Sequence, residues 1–456
     1  VSRDTTVLLP GYPTRELERR LRNLGFTNIE RTASGEALKI GSQVSITIHV
    51  ESSITDGPGG DSALVISDGD VRIVNQNDCR TSDLGALCAD GPVDLHWLQY
   101  SGAIWYPMVY EEPAERMRKL IADKVESQFS RAMRYVEVID ARAVVPSAGP
   151  PAFLDPELFR LNVIDGDEPS IFPDQRSFLR RLDAAGWRGI LAIPGTEIEV
   201  TPREISVRHP LADADVEAIF DDKRSYLLRY QADWADWLAQ HKAGWASATN
   251  DLLCTLQAWW QPLMSMAPTV CEAIGGVVVI HAEAAPNEGG TLSVAIDFRD
   301  KTVSEFRPDD PQHHHDFWFR ISRPLVETVA AQKAVDWSNA LFLSCRFAAW
   351  RAGPFNEYVY NFFKSLSVER MRRTEAEALR TLHPDGHTRQ QMADDDIVLG
   401  DYLVQRLCPH RQADLSVFGE IDGDDVVCTL HGWRFDVHSG VCRNAADHHL
   451  RVRRRS

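Results

Sequence analysis

Near its C-terminus the chain twice sets one cysteine beside one histidine. Cys408-Pro409-His410-Arg411 is followed, with seventeen residues between His410 and Cys428, by Cys428-Thr429-Leu430-His431-Gly432-Trp433. Four metal-ligand side chains shared evenly between two loops are a strong constraint. Both loops must close on one centre, so the segment that carries them must fold around it. A further turn signal, Asp436 to Gly440, reads as a hairpin just beyond the second loop.

One Cys and one His on each loop is the arrangement of a Rieske [2Fe–2S] centre. One iron takes two thiolates and the other takes two neutral imidazoles. Exchanging two thiolates for imidazoles removes negative charge, which lifts the potential to roughly −150 to +300 mV, against about −400 mV for an all-cysteine plant-type cluster. The rival is structural zinc, but zinc fingers group Cys with Cys and His with His. Cys408, His410, Cys428 and His431 are therefore the expected cluster ligands of an all-β domain over residues 396–456. Cys442 lies close by and reads as a packed thiol.

Such a cluster moves one electron and does not itself activate oxygen. An oxygenase needs a second metal, commonly held by two histidines and a carboxylate. No Asp/Asn-x-x-His-x₃₋₄-His pattern occurs. His383 and His387 flank Pro384-Asp385-Gly386, which breaks a helix. His313-His314-His315 sits in a polar run and reads as loop, and His49 reads as structural on the polar side of a strand.

The remaining residues set wider bounds. A net charge of −17 argues against nucleic acid as a partner. No apolar run is long enough for a membrane span, and Val1 to Thr6 does not lead into an apolar signal core, so no export signal is expected. Eight cysteines in 456 residues do not resemble a disulfide framework, and a cytoplasmic location is expected.

Along the chain, residues 1–200 read as α/β. Strands are expected at Val7–Pro10, Val44–Val50, Ala63–Ile66, Val71–Val74, Val93–Leu98 and Ala143–Pro146, with an amphipathic helix from Glu115 to Val136. Residues 201–375 read as an α+β middle region. Helices are expected at Ala214–Phe220, Tyr226–Lys242, Pro324–Val335 and Glu357–Leu366, and strands at Gly276–Ile280 and Thr291–Phe298. The polar stretch from Glu375 to Asp395 reads as a linker. The expected class is multidomain: α/β, then α+β, then the all-β C-terminal domain.

Several N-terminal segments carry a resemblance. They are Asp56-Gly57-Pro58-Gly59-Gly60-Asp61-Ser62, Asn75-Gln76-Asn77-Asp78-Cys79-Arg80, Leu98 to Met108, Pro146-Ser147-Ala148-Gly149-Pro150, Phe153 to Leu158 and Ile171 to Gln175. With the segment Trp350-Arg351 to Phe363-Lys364 and the C-terminal motif, their order resembles the sugar-nucleotide N-acetyl hydroxylases. Those enzymes set a Rieske domain beside a metallo-β-lactamase-like domain. CMP-N-acetylneuraminate hydroxylases are one branch, and the actinobacterial UDP-N-acetylmuramate hydroxylases are the more similar one.

The resemblance implies a monooxygenase that turns the N-acetyl group of UDP-N-acetylmuramic acid into N-glycolyl. It implies O₂, a ferredoxin- or cytochrome-type donor with its reductase, a mononuclear iron in the metallo-β-lactamase-like half, and a possible homo-oligomer. Asp78 matches that fold's acidic metal ligand. Arg80, Tyr100, Ser101, Trp105 and Tyr106 are candidate substrate contacts, with core packing an equal reading for the aromatics and a surface salt bridge an equal one for Arg80; a strand-end cap is the rival reading for Asp78. The family's His-x-His-x-Asp-His motif is absent, and Val1 stands where the first half of the domain would already have passed, so truncation or a start placed too late is the expectation, ahead of a family member that has lost the second metal. A non-catalytic electron-transfer or redox-sensing protein, and a hydroxylase of another N-acyl substrate, are the alternatives.

Overall fold

The computed structural model describes residues 1–12, 15–51, 61–81, 83–102, 104–147, 149–246, 249, 251–284, 290–308, 315–382, 396–409, 415–429, 433–443 and 448–455. Most of Asp56–Ser62, together with Ala148, His313, His314, His383, His387, His410 and His431, lies outside the described residues.

The first region opens with a parallel ribbon of β1 (Val7–Leu9) and β2 (Ile29–Arg31) joined through the helix Glu16–Asn23. Beside it lies a six-stranded sheet of β3 (Ala37–Ile40), β4 (Val44–Val50), β5 (Ser62–Ser67), β6 (Arg72–Asn77), β7 (Leu95–Gln99) and β8 (Ala143–Ser147), in that spatial order. Pairing is antiparallel from β3 to β6 and parallel from β6 to β8. The hairpin signal explains the first half. Asp68 Oδ1 accepts from the backbone N–H groups of Asp70 and Val71, and Gly69 takes a left-handed φ of 97°. Parallel neighbours need crossovers, and the long one from β7 to β8 is the helix Ala114–Ile139.

That crossover aligns the ends of β6, β7 and β8 on one edge of the sheet. At the end of β6 the register shifts between Asn75 and Asn77, and Asn77 adopts φ 41°. A bulge of this kind re-aims the residues that follow, here Asp78, Cys79 and Arg80. Beneath the turn, His96 is fully buried with Nε2 3.0 Å from Gln76 Oε1, and Gln76 Nε2 donates to Cys79 O at 3.0 Å. Burial pushes His96 down to about 3, so the ring is neutral and its Nε2–H donates to Gln76. The turn is thus anchored from inside the sheet.

The middle region begins with the hairpin β9 (Glu197–Val200) and β10 (Ile205–Arg208) and the helices Asp213–Asp221 and Lys223–Ala243. A five-stranded sheet follows: β11 (Val277–Glu283), β12 (Leu292–Asp297), β13 (Thr302–Glu305), β14 (Phe317–Ser322) and β15 (Phe347–Arg351), ordered β13-β12-β11-β14-β15. Its core holds Trp260, Phe319, Trp337, Phe342, Phe362 and Phe363, drawn from the strands and the helices that cover them.

One expectation is corrected in this region. The polar stretch from Glu375 is not all linker, because a helix spans Val368–Leu382. Its charged outer face hides a buried stripe of Met371, Glu375 and Ala378, four and three residues apart. The Glu375 carboxylate accepts from the Thr269 and Val270 N–H groups, both at 3.0 Å, and so satisfies the start of the helix Pro268–Ile274.

The last region consists of two three-stranded sheets. One is β16 (Asp396–Leu399), β17 (Tyr402–Gln405) and β21 (Val452–Arg454). The other is β18 (Gly419–Asp422), β19 (Asp425–Cys428) and β20 (Trp433–Asp436). The turn after β20 needs its glycine: Gly440 has φ 74°, and a Cβ there would lie 2.1 Å from Leu450 O.

Candidate functional site

Cys428 ends β19, where it pairs with Gly419, and Cys408 follows β17. Both thiols are fully buried in one core with Val404, Leu415, Phe418, Val426 and Phe435, and neither is in a disulfide. The loop after Cys428 is pinned where it starts: Thr429 donates from both N (2.7 Å) and Oγ1 (3.0 Å) to Phe418 O. Beyond it, Trp433 packs edge-on against buried His448 with centroids 4.9 Å apart. Arg434 pairs with Asp422 and Asp425, and Arg443 with Asp425 and Asp436, tying β18 to β20. Two buried thiols at the start of the two motif segments are a fitting donor pair for a cluster. The two histidines of the expected set lie outside the described residues.

This core is continuous with that of the first region. Phe418 meets the Tyr135 ring edge-on at 5.8 Å, Arg134 pairs with Glu420, and buried Arg131 lies within electrostatic reach of Cys428. All three helix residues belong to Ala114–Ile139. Phe418, Glu420 and Cys428 therefore lie against the crossover helix that also faces the strand ends.

On that helix Lys124, Gln128, Arg131 and Tyr135 recur at intervals of four, three and four, one face of an α-helix. Opposite them stand the residues that follow β6 and β7. A Cβ on Gly102 would lie 2.9 Å from Gln128 Nε2 and 3.8 Å from an Arg80 guanidinium nitrogen, so these side chains converge on Gly102. A Cβ on Gly149, beyond β8, would lie 2.9 Å from Ser101 Oγ. Burial, with Arg131 and Arg80 nearby, pushes Lys124 down to about 7. Burial and Arg80 lower Arg131 to about 10, which leaves it charged at neutral pH. Burial raises Cys79 to about 12, with Glu51 adding to the shift, so it stays a thiol.

Asp78 and Arg80 sit half-buried at this juncture, with Ser101 beside them. Tyr100 is locked in the core, its hydroxyl donating to Pro173 O at 2.9 Å. Trp105 and Tyr106 go elsewhere. Trp105 packs against Tyr360 at 5.3 Å and Phe342 at 5.5 Å in the middle region, and Tyr106 packs against Tyr110 beneath the Arg351 guanidinium. Lys124, Gln128, Arg131 and Tyr135 were not singled out from sequence. Their signal was a polar stripe at helical spacing within a helix that buries Phe129, Met133 and Val136.

The mononuclear iron implied by the resemblance finds no ligand set among the described residues: no group of three or more His, Cys, Asp and Glu side chains there could hold a metal ion. No helix among them is long and apolar enough to cross a membrane.

Comparison with known proteins assigns the C-terminal part. Residues 378–452 match the Rieske [2Fe-2S] domain, and residues 252–380 match the Rv3818-like, SCP2-like domain. The Rieske 2Fe-2S iron-sulfur protein Rv3818 of Mycobacterium tuberculosis (strain ATCC 25618 / H37Rv) is 40% identical over 463 residues, covering 100% of this chain and 86% of that protein. A Rieske 2Fe-2S iron-sulfur protein of Mycolicibacterium smegmatis is 39% identical over 467 residues with the same coverage. Among solved structures, CmlA, a diiron beta-hydroxylase from Streptomyces venezuelae, is 19% identical, with a TM-score of 0.28 over 41% of this chain and 38% of its own. A likeness that slight carries no argument about the fold or chemistry of the first region.

Proposed function

Because the chain belongs to the family of Rieske 2Fe-2S iron-sulfur proteins that includes Rv3818, we propose that it is a one-electron oxidoreductase whose cluster is held by Cys408, His410, Cys428 and His431. The observation that carries this reading is the pair of fully buried thiols in one core, each in a Cys–His motif with the sequence spacing that the mixed ligand set requires. The cluster supplies a reversible one-electron change. The chain's own residues set its surroundings. Trp433 and His448 pack beside the second loop. Arg131, charged and buried beside Cys428, favours added negative charge and so favours the reduced state. Electrons come from a ferredoxin- or cytochrome-type donor with its reductase.

The test is metal and sulfide analysis of the purified protein with its visible spectrum, beside Cys408→Ser. The reading requires two irons and two sulfides per chain and their loss in the variant. One zinc and no sulfide would overturn it.

A finer reading is favoured by the position of Arg131 on the crossover helix, within electrostatic reach of both Arg80 and Cys428. It is hydroxylation by O₂ of the N-acetyl group of UDP-N-acetylmuramic acid or a similar N-acetyl sugar nucleotide. That chemistry needs a second metal, for which the described residues offer no site, so no step is derived through one. Mass spectrometry of the nucleotide after incubation with protein, reductant and O₂ tests it. No gain of one oxygen atom would count against the hydroxylase and leave the electron-transfer reading standing.

A further inference from the structure

The helix Glu16–Asn23 lies on the surface with no residue buried. Leu17 and Leu24, the residue that caps its end, fall on one face and are each 53% exposed. Arg20 stands between them at helical spacing and is exposed as well. Ion pairs set the start of the helix Val368–Leu382 alongside. Arg19 reaches Glu369 at 2.8 Å, and Arg370 reaches Glu16 at 3.2 Å. The first turn of that second helix repeats the pattern: Val368 is 49% exposed, and Arg372, one turn on, is exposed too.

The charge at this contact is one-sided. Its carboxylates are each held in two ion pairs: Glu16 by Arg370 and Arg373, Glu18 by Arg22 and Arg31, and Glu369 by Arg19 and Arg373. Among the described residues Arg20 and Arg372 have no ion-pair partner. The chain as a whole is acidic, with a net charge of −17. Exposed leucines beside uncompensated arginines are matched by a surface that is apolar beneath and anionic at its boundary. An arginine's long stem lets it cover apolar surface while its charge stays among headgroups. A free phosphate would meet the arginines and leave the leucines in water. A second copy docked face to face would set Arg20 against like charge, because such a contact repeats one patch on both sides.

We propose that this face docks the protein on an anionic lipid surface. Leu17, Leu24 and Val368 enter the headgroup boundary, and Arg20 and Arg372 meet the lipid phosphates. Buried apolar area and attraction to anionic lipid add in such a contact. Each basic side chain at an anionic surface strengthens binding by about fivefold. The acidic remainder of the chain is repelled by the same surface, which leaves this face as the one that approaches it. The proposal is independent of the cluster assignment made above.

The experiment is co-sedimentation of the purified full chain with vesicles of phosphatidylglycerol and phosphatidylcholine in equal parts, beside vesicles of phosphatidylcholine alone. Saturable binding to the mixed vesicles, tenfold or more weaker on phosphatidylcholine alone, is the expected result. Leu17→Ser combined with Leu24→Ser weakens it tenfold or more, and Arg20→Gln weakens it about fivefold. Leu228→Ser leaves it unchanged; Leu228 is 48% exposed on the helix Lys223–Ala243 and serves as the apolar control. No binding, equal binding to the two kinds of vesicle, or equal binding by all variants overturns the proposal. Circular dichroism checks that the variants, all at exposed positions, keep the fold. Sedimentation velocity without vesicles reads the other occupant. Self-association that is lost in the leucine pair would give the face to a second copy and overturn the lipid surface.

Discussion

The first region meets the rest of the chain along two seams of opposite make. Toward the middle region the seam is aromatic: Trp105 lies among Phe342, Phe347 and Tyr360, and the Tyr110 and Tyr360 hydroxyls share a 2.6 Å hydrogen bond. Toward the C-terminal domain it is partly ionic, with Arg131 buried behind Cys428 and Arg134 paired with Glu420 at its edge. Aromatic contact buries area and fixes position. Buried charge is a poor source of stability and a good means of tuning a neighbouring centre. The first seam therefore reads as a structural join and the second as the working one.

The largest effect that would sharpen this contrast comes from the cluster loops. Cys428→Ser is expected to abolish the visible absorption of the cluster, while Trp105→Ala leaves it intact. Trp105→Ala should instead lower global stability by about 3 kcal/mol, the lower end for removing a large aromatic, read as a fall in denaturant midpoint. A loss of cluster with Trp105→Ala and no change in midpoint would erase the distinction between the seams.

A smaller effect is expected within the middle region. Glu375→Ala removes the acceptor for two buried N–H groups and should cost about 1–2 kcal/mol. The smallest belongs to the exposed rim of the ionic seam. The Arg134 and Glu420 side chains are 26% and 49% exposed, so Arg134→Ala should change stability by under about 1 kcal/mol, and less in high salt.

The buried histidine beneath the site gives a pH signature. His96 is held at about 3 when folded, against an ordinary value near 6.5. Between these values the unfolded chain binds a proton that the folded chain refuses. Its contribution to stability is complete above pH 6.5 and is lost as pH falls from 6.5 toward 3. Denaturation across that window should show a shallower slope in His96→Gln than in the parent. Equal slopes would mean that the ring is protonated in the fold.

What the sequence disclosed tracks how local each feature is. The Rieske domain was legible because its two Cys–His pairs each sit within a few residues on a short segment. The hairpin at Asp68 and the crossover helix were legible for the same reason, since turn chemistry and a 3.6-residue period are local. The helix Val368–Leu382 was half hidden because its charged face outnumbers its buried stripe. The juncture was hidden more completely: it draws Arg80 from beyond a bulge, Ser101 from beyond a strand end and four residues from the crossover helix. Trp105 and Tyr106 misled in the opposite way, because aromatics near a predicted site look like pocket lining until their partners, far along the chain, are in view.

The account turns on the ligand set at the working seam, and pulsed electron paramagnetic resonance of the reduced protein tests it most directly. Two strongly coupled imidazole nitrogens on one paramagnetic cluster are the expected result, with the signal lost in Cys428→Ser. A cluster without nitrogen coupling, or a metal centre that is silent after reduction, would contradict it.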